Sequence, residues 1–139
     1  MDPSEARARF AAVRVARLAT AGADSRPHLV PVVFAVDGDT VYTAVDDVKP
    51  KSTMRLRRLA NIAANPAVAL LADHYDEDWT SLWWARADGT ARLLEPGEKE
   101  ASRARALLAE RYAQYRDAPP PGVVIAADVT RWSGWAAGG

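Results

Sequence analysis

A mainly β domain, its antiparallel strands rolled into a small closed or split barrel with helices at the flanks, is the architecture this sequence predicts. Three observations lead there. Short apolar runs with strand-like character recur along the chain, punctuated by Gly, Pro and Asp-Gly turn signals. Only three stretches between them carry helical spacing. The 139 residues, 49% of them apolar, suit a single domain over residues 1–139, and a domain of that size buries roughly 70% of its unfolded surface. Closure follows because an open sheet of this kind would expose two unpaired edges. So small a barrel is filled by its own side chains. A cofactor would therefore sit outside it, most naturally in a groove shared with a second copy.

The elements follow in order. Asp2-Pro3 opens a short helix, with Ala6, Phe10 and Val13 at helical spacing. Residues 15–21 read as a strand stopped by Gly22, and residues 27–36 as a Val-rich second strand with Pro31 at an edge or bulge. Asp37-Gly38 signals a two-residue hairpin that pairs residues 40–45 with what precedes them. A loop over residues 46–51 leads to a helix capped by Ser52 or Thr53, with Leu56, Leu59 and Ala63 on one face and Asn65-Pro66 at its end. Residues 68–75 alternate like a strand, 76–78 form an acidic turn, and 82–94 form a long strand in which Gly89 suggests a bulge. Pro96-Gly97 leads into a helix over residues 98–115, with Ala101, Ala104, Leu108, Tyr112 and Tyr115 as its buried stripe. A Pro-rich connector, residues 118–122, precedes a closing strand over 123–136.

Composition narrows the function. Eighteen basic residues balance eighteen acidic ones, so no global field recruits nucleic acid or an anionic membrane. Cysteine is absent, which excludes disulfides, thiolate zinc sites and a Cys nucleophile. No apolar run suits a signal peptide or a membrane span, and the expected location is the cytoplasm.

Local charge says more than the total. Between residues 49 and 66 stand five cations, Lys49, Lys51, Arg55, Arg57 and Arg58, and no acid. Free N–H groups at a helix start already favour an anion, and Ser52 and Thr53 add hydroxyl donors. A phosphate there would receive charge-assisted hydrogen bonds. The plain alternative is a solvated basic face with an ordinary Ser cap.

Five tryptophans, Trp79, Trp83, Trp84, Trp132 and Trp135, supply flat surface for a core, a planar ligand or a partner subunit. Trp83 and Trp84 are neighbours on a strand and must point to opposite faces. On the strand from Arg26 to Val32, backbone and small apolar groups could lie against a ring. His28, one of two histidines, is there a conceivable proton donor, though more ordinarily a half-exposed strand residue. The run Asp73-His74-Tyr75-Asp76-Glu77-Asp78 lacks the glycine and spacing of a calcium loop and the histidines of a zinc site, so it reads as a solvated turn with no metal. There is no nucleophile elbow and no Gly-rich dinucleotide fingerprint. Difficult chemistry would have to be a cofactor's.

The ordered series Leu18-Ala19-Thr20, Arg26-Pro27-His28 through Val33, Lys49-Pro50-Lys51-Ser52 with Leu56-Arg57-Arg58-Leu59, Asn65-Pro66 through Leu71, Trp79, Ala87-Asp88-Gly89-Thr90-Ala91 and Arg131-Trp132-Ser133-Gly134-Trp135 resembles the flavin/deazaflavin oxidoreductases. These form the split β-barrel superfamily that includes pyridoxamine-phosphate oxidase. Within it, the likeness is to actinobacterial members dependent on the deazaflavin coenzyme F420. The resemblance implies a PNPOx-like, FMN-binding barrel and a homodimer with a cofactor in each intersubunit groove. It implies hydride transfer from F420 to an unsaturated small organic acceptor. Lys49, Lys51 and Ser52, supplemented by Arg55, would hold the cofactor's phosphate and acidic tail. Pro31, Val32 and Val33 would lie near the ring, Thr43 and Ala44 would face tail or ring, and Trp79 would come from the partner subunit. Pro31 stands where several relatives carry Asn, and Pro50 splits the basic pair. No catalytic residue is assigned. The rivals are an FMN-dependent oxidase or reductase of the same fold and, from another class, a non-catalytic cofactor or tetrapyrrole binding protein. A structural dimer with an empty groove ranks below both.

Overall fold

The computed structural model describes residues 1–45 and 53–138. Its elements run α1 (Pro3–Ala12), β1 (Ala16–Ala21), β2 (Pro27–Val32), β3 (Ala35–Asp37), β4 (Thr40–Ala44), α2 (Thr53–Ala64), β5 (Ala67–His74), β6 (Trp83–Leu94), α3 (Lys99–Arg111), α4 (Ala113–Asp117) and β7 (Val124–Ala136). Asp78 caps a single 3-10 turn, Trp79–Ser81, that the sequence did not signal. Asp2 caps α1 by accepting a hydrogen bond from the Glu5 N–H at 2.9 Å, with Pro3 in the first turn.

All seven strands join one antiparallel sheet in the order β2-β1-β5-β6-β7-β4-β3. Its two edges, β2 and β3, are separated in sequence only by Val33 and Phe34. That step reaches at most about 11 Å, so the sheet must curl until its edges meet end to end. The outcome is the curled half-barrel of the expected split-barrel class.

One strand expected over residues 27–36 is thus two, on opposite edges of the sheet. Side chains replace the missing ladder at the break. The Thr43 hydroxyl donates to the Val33 carbonyl at 2.8 Å. The Tyr112 hydroxyl accepts from the Phe34 N–H at 3.1 Å and lies 2.9 Å from the Phe34 carbonyl. Tyr112 also divides the single helix expected over 98–115. Its backbone is extended, with φ −123° and ψ 121°, between α3 and α4. The hairpin turn lies one residue later than expected. Asp37 pairs with Thr40, so Gly38 and Asp39 are the central residues, and Gly38 has φ +60°.

Inward residues of the strands, among them Leu18, Val30, Val32, Val41, Leu70 and Ile125, fill the barrel. Helix α1 adds Ala6 and Phe10, whose ring lies 4.9 Å from Phe34 and 5.4 Å from Trp132. A second cluster forms where Ala101, Ala104 and Leu108 of α3 pack on Ala35, Tyr42, Leu94, Val124 and Ala126. Ile62 of α2 is buried in the first cluster, and Asn61 donates to the buried Thr20 hydroxyl at 3.1 Å, fixing α2 against β1. The longest pairing, β6 with β7, shifts register between Asp88 and Gly89, which is the expected bulge. A Cβ on Gly89 would fall against the Asp128 carbonyl, 2.8 Å from its carbon and 2.9 Å from Val129 Cα. Only glycine fits there. Among the described residues, no helix is long and apolar enough to cross a membrane.

Candidate functional site

The seam between β2 and β3 is also where the barrel opens outward. Pro31, Val32 and Val33 at the end of β2 meet Thr43 and Ala44 at the end of β4, and between them lies a groove of about 240 Å³. Arg58 of α2 and Tyr115 of α4 complete its lining. Edge position explains why proline is tolerated at residue 31, since β2 pairs only with β1, where Pro31 faces Arg17. The groove therefore has apolar strand residues on one side and a guanidinium on another. Such a surface suits a flat apolar ring next to an anionic group.

A larger lobe of about 630 Å³ adjoins it. Val33 and Tyr115 line both, so the two lobes are neighbours. Its other walls come from Arg14 and Val15, from Arg111 and Tyr112, and from α4 through Ala113, Gln114 and Arg116. Sequence reasoning missed this lobe. It treated Tyr112 and Tyr115 as core stripe, and both are in fact half-buried, with rings 6.1 Å apart and nearly perpendicular. Its one sequence signal is the pair of arginines, Arg111 and Arg116, on either side of the two tyrosines.

Of the residues the sequence nominates, Pro31, Val32, Val33, Thr43 and Ala44 come together in the smaller lobe. Lys49, Lys51 and Ser52 lie outside the described residues. Arg55 belongs to the first turn of α2, but its side chain is outside what the structure describes. Trp79 lines neither lobe and is 76% exposed. Trp83 packs against the core beneath Arg9, whereas Trp84 lies on the opposite face with the Arg86 guanidinium 5.5 Å from its ring. Trp132 is buried and donates from Nε1 to Asp39 at 2.9 Å.

His28 faces α2. Both ring nitrogens are occluded, without a hydrogen-bond partner among the described residues. Burial first, then the charges of Arg58 and Arg57, holds its pKa below the ordinary histidine value. A neutral imidazole with occluded nitrogens is a poor acid, and His28 lines neither lobe. In the acidic run, His74 Nε2 lies 3.0 Å from Asp76, and Asp76 and Asp78 are occupied by local backbone and hydroxyl donors. Among the described residues, no three His, Asp or Glu converge as a metal site would require.

The sequence pattern of the pyridoxamine 5'-phosphate oxidase family matches residues 3–136. The chain belongs to that family. Solved structures share its fold. A conserved hypothetical protein of Mycobacterium tuberculosis is 23% identical with a TM-score of 0.77, the match covering 98% of this chain and 85% of that one. A FAD-binding protein of Mesorhizobium loti is 20% identical at a TM-score of 0.72, covering 96% and 94%. A heme storage protein of Vibrio cholerae is 15% identical at a TM-score of 0.72, covering 98% and 95%. At such identities the likeness is one of fold. No curated protein matches the chain significantly in sequence. Proteins that share this fold thus include a FAD-binding protein and a heme storage protein, so the fold alone does not choose a ligand.

Proposed function

We propose that this chain is an F420-dependent oxidoreductase that binds its deazaflavin in a cleft completed by a second copy of itself. The observation that carries this is the smaller lobe, where Pro31 to Val33 and Thr43-Ala44 present an apolar surface beside the Arg58 guanidinium. At about 240 Å³ it accommodates a ring but is smaller than pockets that enclose a whole drug-sized ligand, which run to about 300–1,000 Å³. More protein is needed to cover the rest. Lys49, Lys51, Ser52 and Arg55 follow β4 in sequence and would hold the anionic tail, with Arg58 adding charge. Trp79, with Leu29 at 66% exposure, offers apolar surface to a partner subunit.

A bound, reduced deazaflavin would supply hydride for an unsaturated acceptor, with the balancing proton drawn from solvent. The chain's part is orientation and exclusion of water. Thr43, fixed by its bond to the Val33 carbonyl, holds the two strand ends together along the groove. No imidazole is placed to deliver the proton, since His28 is neutral at pH 7 with its nitrogens occluded.

FMN is the second reading, favoured by the family's namesake oxidase and the FAD-binding relative. The same lobe would accept its ring, and its phosphate would meet the same cations. A tetrapyrrole fits the site less well. The heme storage relative raises it, but His28 presents no open nitrogen and His74 is engaged by Asp76.

Anaerobic titration with F420 and FMN separates these readings. F420 should bind more tightly than FMN, weaken with added salt, and lose about tenfold or more in affinity in Lys49→Ala/Lys51→Ala. Tighter FMN binding shifts the assignment to a flavin enzyme. A Soret band on heme addition that disappears in His28→Ala or His74→Ala shifts it to a tetrapyrrole carrier. Binding of neither F420 nor FMN would falsify the oxidoreductase reading, and light scattering that reports a monomer would remove the shared cleft.

A further inference from the structure

We propose that the larger lobe is an anion-selective acceptor site, which takes a planar, unsaturated carboxylate with its charged end among Arg14, Arg111 and Arg116. The placement as acceptor site rests on the oxidoreductase reading above, whereas the anion selectivity stands on the lobe alone.

Charge is the first ground. Arg7, Arg17, Arg86, Arg92 and Arg103 each pair with a carboxylate. The three arginines of the lobe do not, among the described residues. Their partners are all neutral. Arg14 donates to the Arg111 carbonyl at 2.7 Å, and Arg116 to the Glu110 carbonyl at 3.0 Å. Arg111 donates from Nε to the Tyr112 hydroxyl at 3.1 Å, from Nη1 to the Ala11 carbonyl at 2.6 Å, and from Nη2 to the Val13 carbonyl. Carbonyls orient a guanidinium without neutralising it. Among the described residues no Asp or Glu lines the lobe, although the chain as a whole has as many acids as bases.

Geometry is the second. Arg14 and Arg111 lie 5.8 and 5.6 Å from the centroid of the same Tyr112 ring, so both charges belong to one corner of the lobe. An anion in that corner would be attracted by both and accept from the N–H groups not yet engaged. Val15, Val33 and Tyr115 also line the lobe and give it apolar surface suited to a flat body. The volume of about 630 Å³ is that of a small-molecule site. Because Val33 and Tyr115 also line the smaller lobe, such a ligand would lie directly beside a ring bound there. The same cations could instead receive the anionic tail of the cofactor itself, and the test must separate the two.

The test titrates the cofactor-free full chain with cinnamate and with cinnamamide, its neutral counterpart, by calorimetry. Cinnamate should bind about tenfold more tightly than the amide or better, and Arg14→Gln/Arg116→Gln should abolish the preference. Equal binding of acid and amide, binding of neither, or a preference that survives in the variant overturns the proposal. In a second arm, F420 and FMN are titrated into the same variant. Unchanged affinity is expected, and a loss matching that of cinnamate reassigns the arginines to the cofactor tail. A melting temperature near wild type shows that the variant is folded. Should it not be, Arg116→Gln alone, on an exposed position of α4, is expected to cut cinnamate affinity several-fold and leave that of the amide unchanged. Wild-type protein that prefers cinnamate yet binds neither cofactor would sink the oxidoreductase reading and leave the anion site standing.

Discussion

Tyr112→Phe removes a single oxygen, and the structure says what that oxygen does. It accepts from the Phe34 N–H and from Arg111 Nε, both at 3.1 Å, and lies 2.9 Å from the carbonyls of Phe34 and Arg14. One hydroxyl therefore satisfies backbone groups at the seam where the sheet's edges meet. Phe34 is wholly buried, so no water can replace the lost acceptor. An orphaned buried N–H costs about 1–3 kcal/mol. Arg111 is half-buried and can rehydrate in part, adding about 0.5–1 kcal/mol. The ring stays, so its packing is kept. The expected loss is about 1.5–4 kcal/mol, a large share of a domain's usual stability of about 5–15 kcal/mol. Equilibrium urea unfolding reads it as a fall in midpoint of about 1–2 M at an m-value near 2 kcal/mol/M. Cofactor affinity should fall as well, because Val33 lines the cleft beside this bond. A midpoint and m-value indistinguishable from wild type would show that the seam does not depend on Tyr112.

Gly89→Ala should be among the most damaging single changes, since the new Cβ falls on the Asp128 carbonyl of β7. A loss above about 3 kcal/mol is expected, read as lower soluble yield and melting temperature, and a wild-type melt would refute the bulge argument. Glu100 sits between Arg92, bonded at 2.9 Å, and the Tyr42 hydroxyl at 2.8 Å. Its hydrogen bond from Arg92, then that from Tyr42, lowers its pKa to about 2. A depressed acid stabilises the fold above its unfolded pKa, near the usual glutamate value, and that contribution is lost as pH falls through about 2. Glu100→Gln should thus be less stable than wild type at neutral pH, with the gap closing on acidification. A gap of constant size from pH 7 to strong acid would refute the pairing.

Local features of the fold were legible because their causes are local. Asp2-Pro3 announced a helix cap, Gly89 a bulge, and the Trp83-Trp84 pair two opposite faces, and each follows from chain neighbours alone. The misreadings share a different origin. Residues 27–36 look like one strand because nothing in them shows that Phe34 will bond with a tyrosine 78 positions away. Residues 98–115 look like one helix because the apolar spacing runs on through Tyr112 and Tyr115. Only the demand of the distant seam pulls Tyr112 into extended backbone. Pro31, Val32, Val33, Thr43 and Ala44, which the family resemblance picks out, meet in the smaller lobe because they stand at the ends of two strands near each other in the chain. The larger lobe was not legible, since Arg14 stands 97 positions from Arg111 and meets it and Arg116 only after closure.

These separate facts have one cause. A curled sheet whose edges are joined by two residues cannot continue its hydrogen-bond ladder across the join, and backbone groups there need partners from elsewhere. Thr43 and Tyr112 supply them from β4 and from the end of α3. Drawing Tyr112 to the seam brings Arg111 with it, and Arg111 then ties α1 to the same corner through the carbonyls of Ala11 and Val13. Among the described residues, the bonds that Arg14, Arg111 and Arg116 donate in that corner end on neutral oxygens, so the corner is closed structurally without neutralising its charge. A barrel filled by its own side chains has no interior to offer a ligand. The place where its closure is incomplete lies next to apolar strand ends and to Arg14, Arg111 and Arg116, whose partners among the described residues are neutral, and there the same contacts that hold the fold together favour an anion.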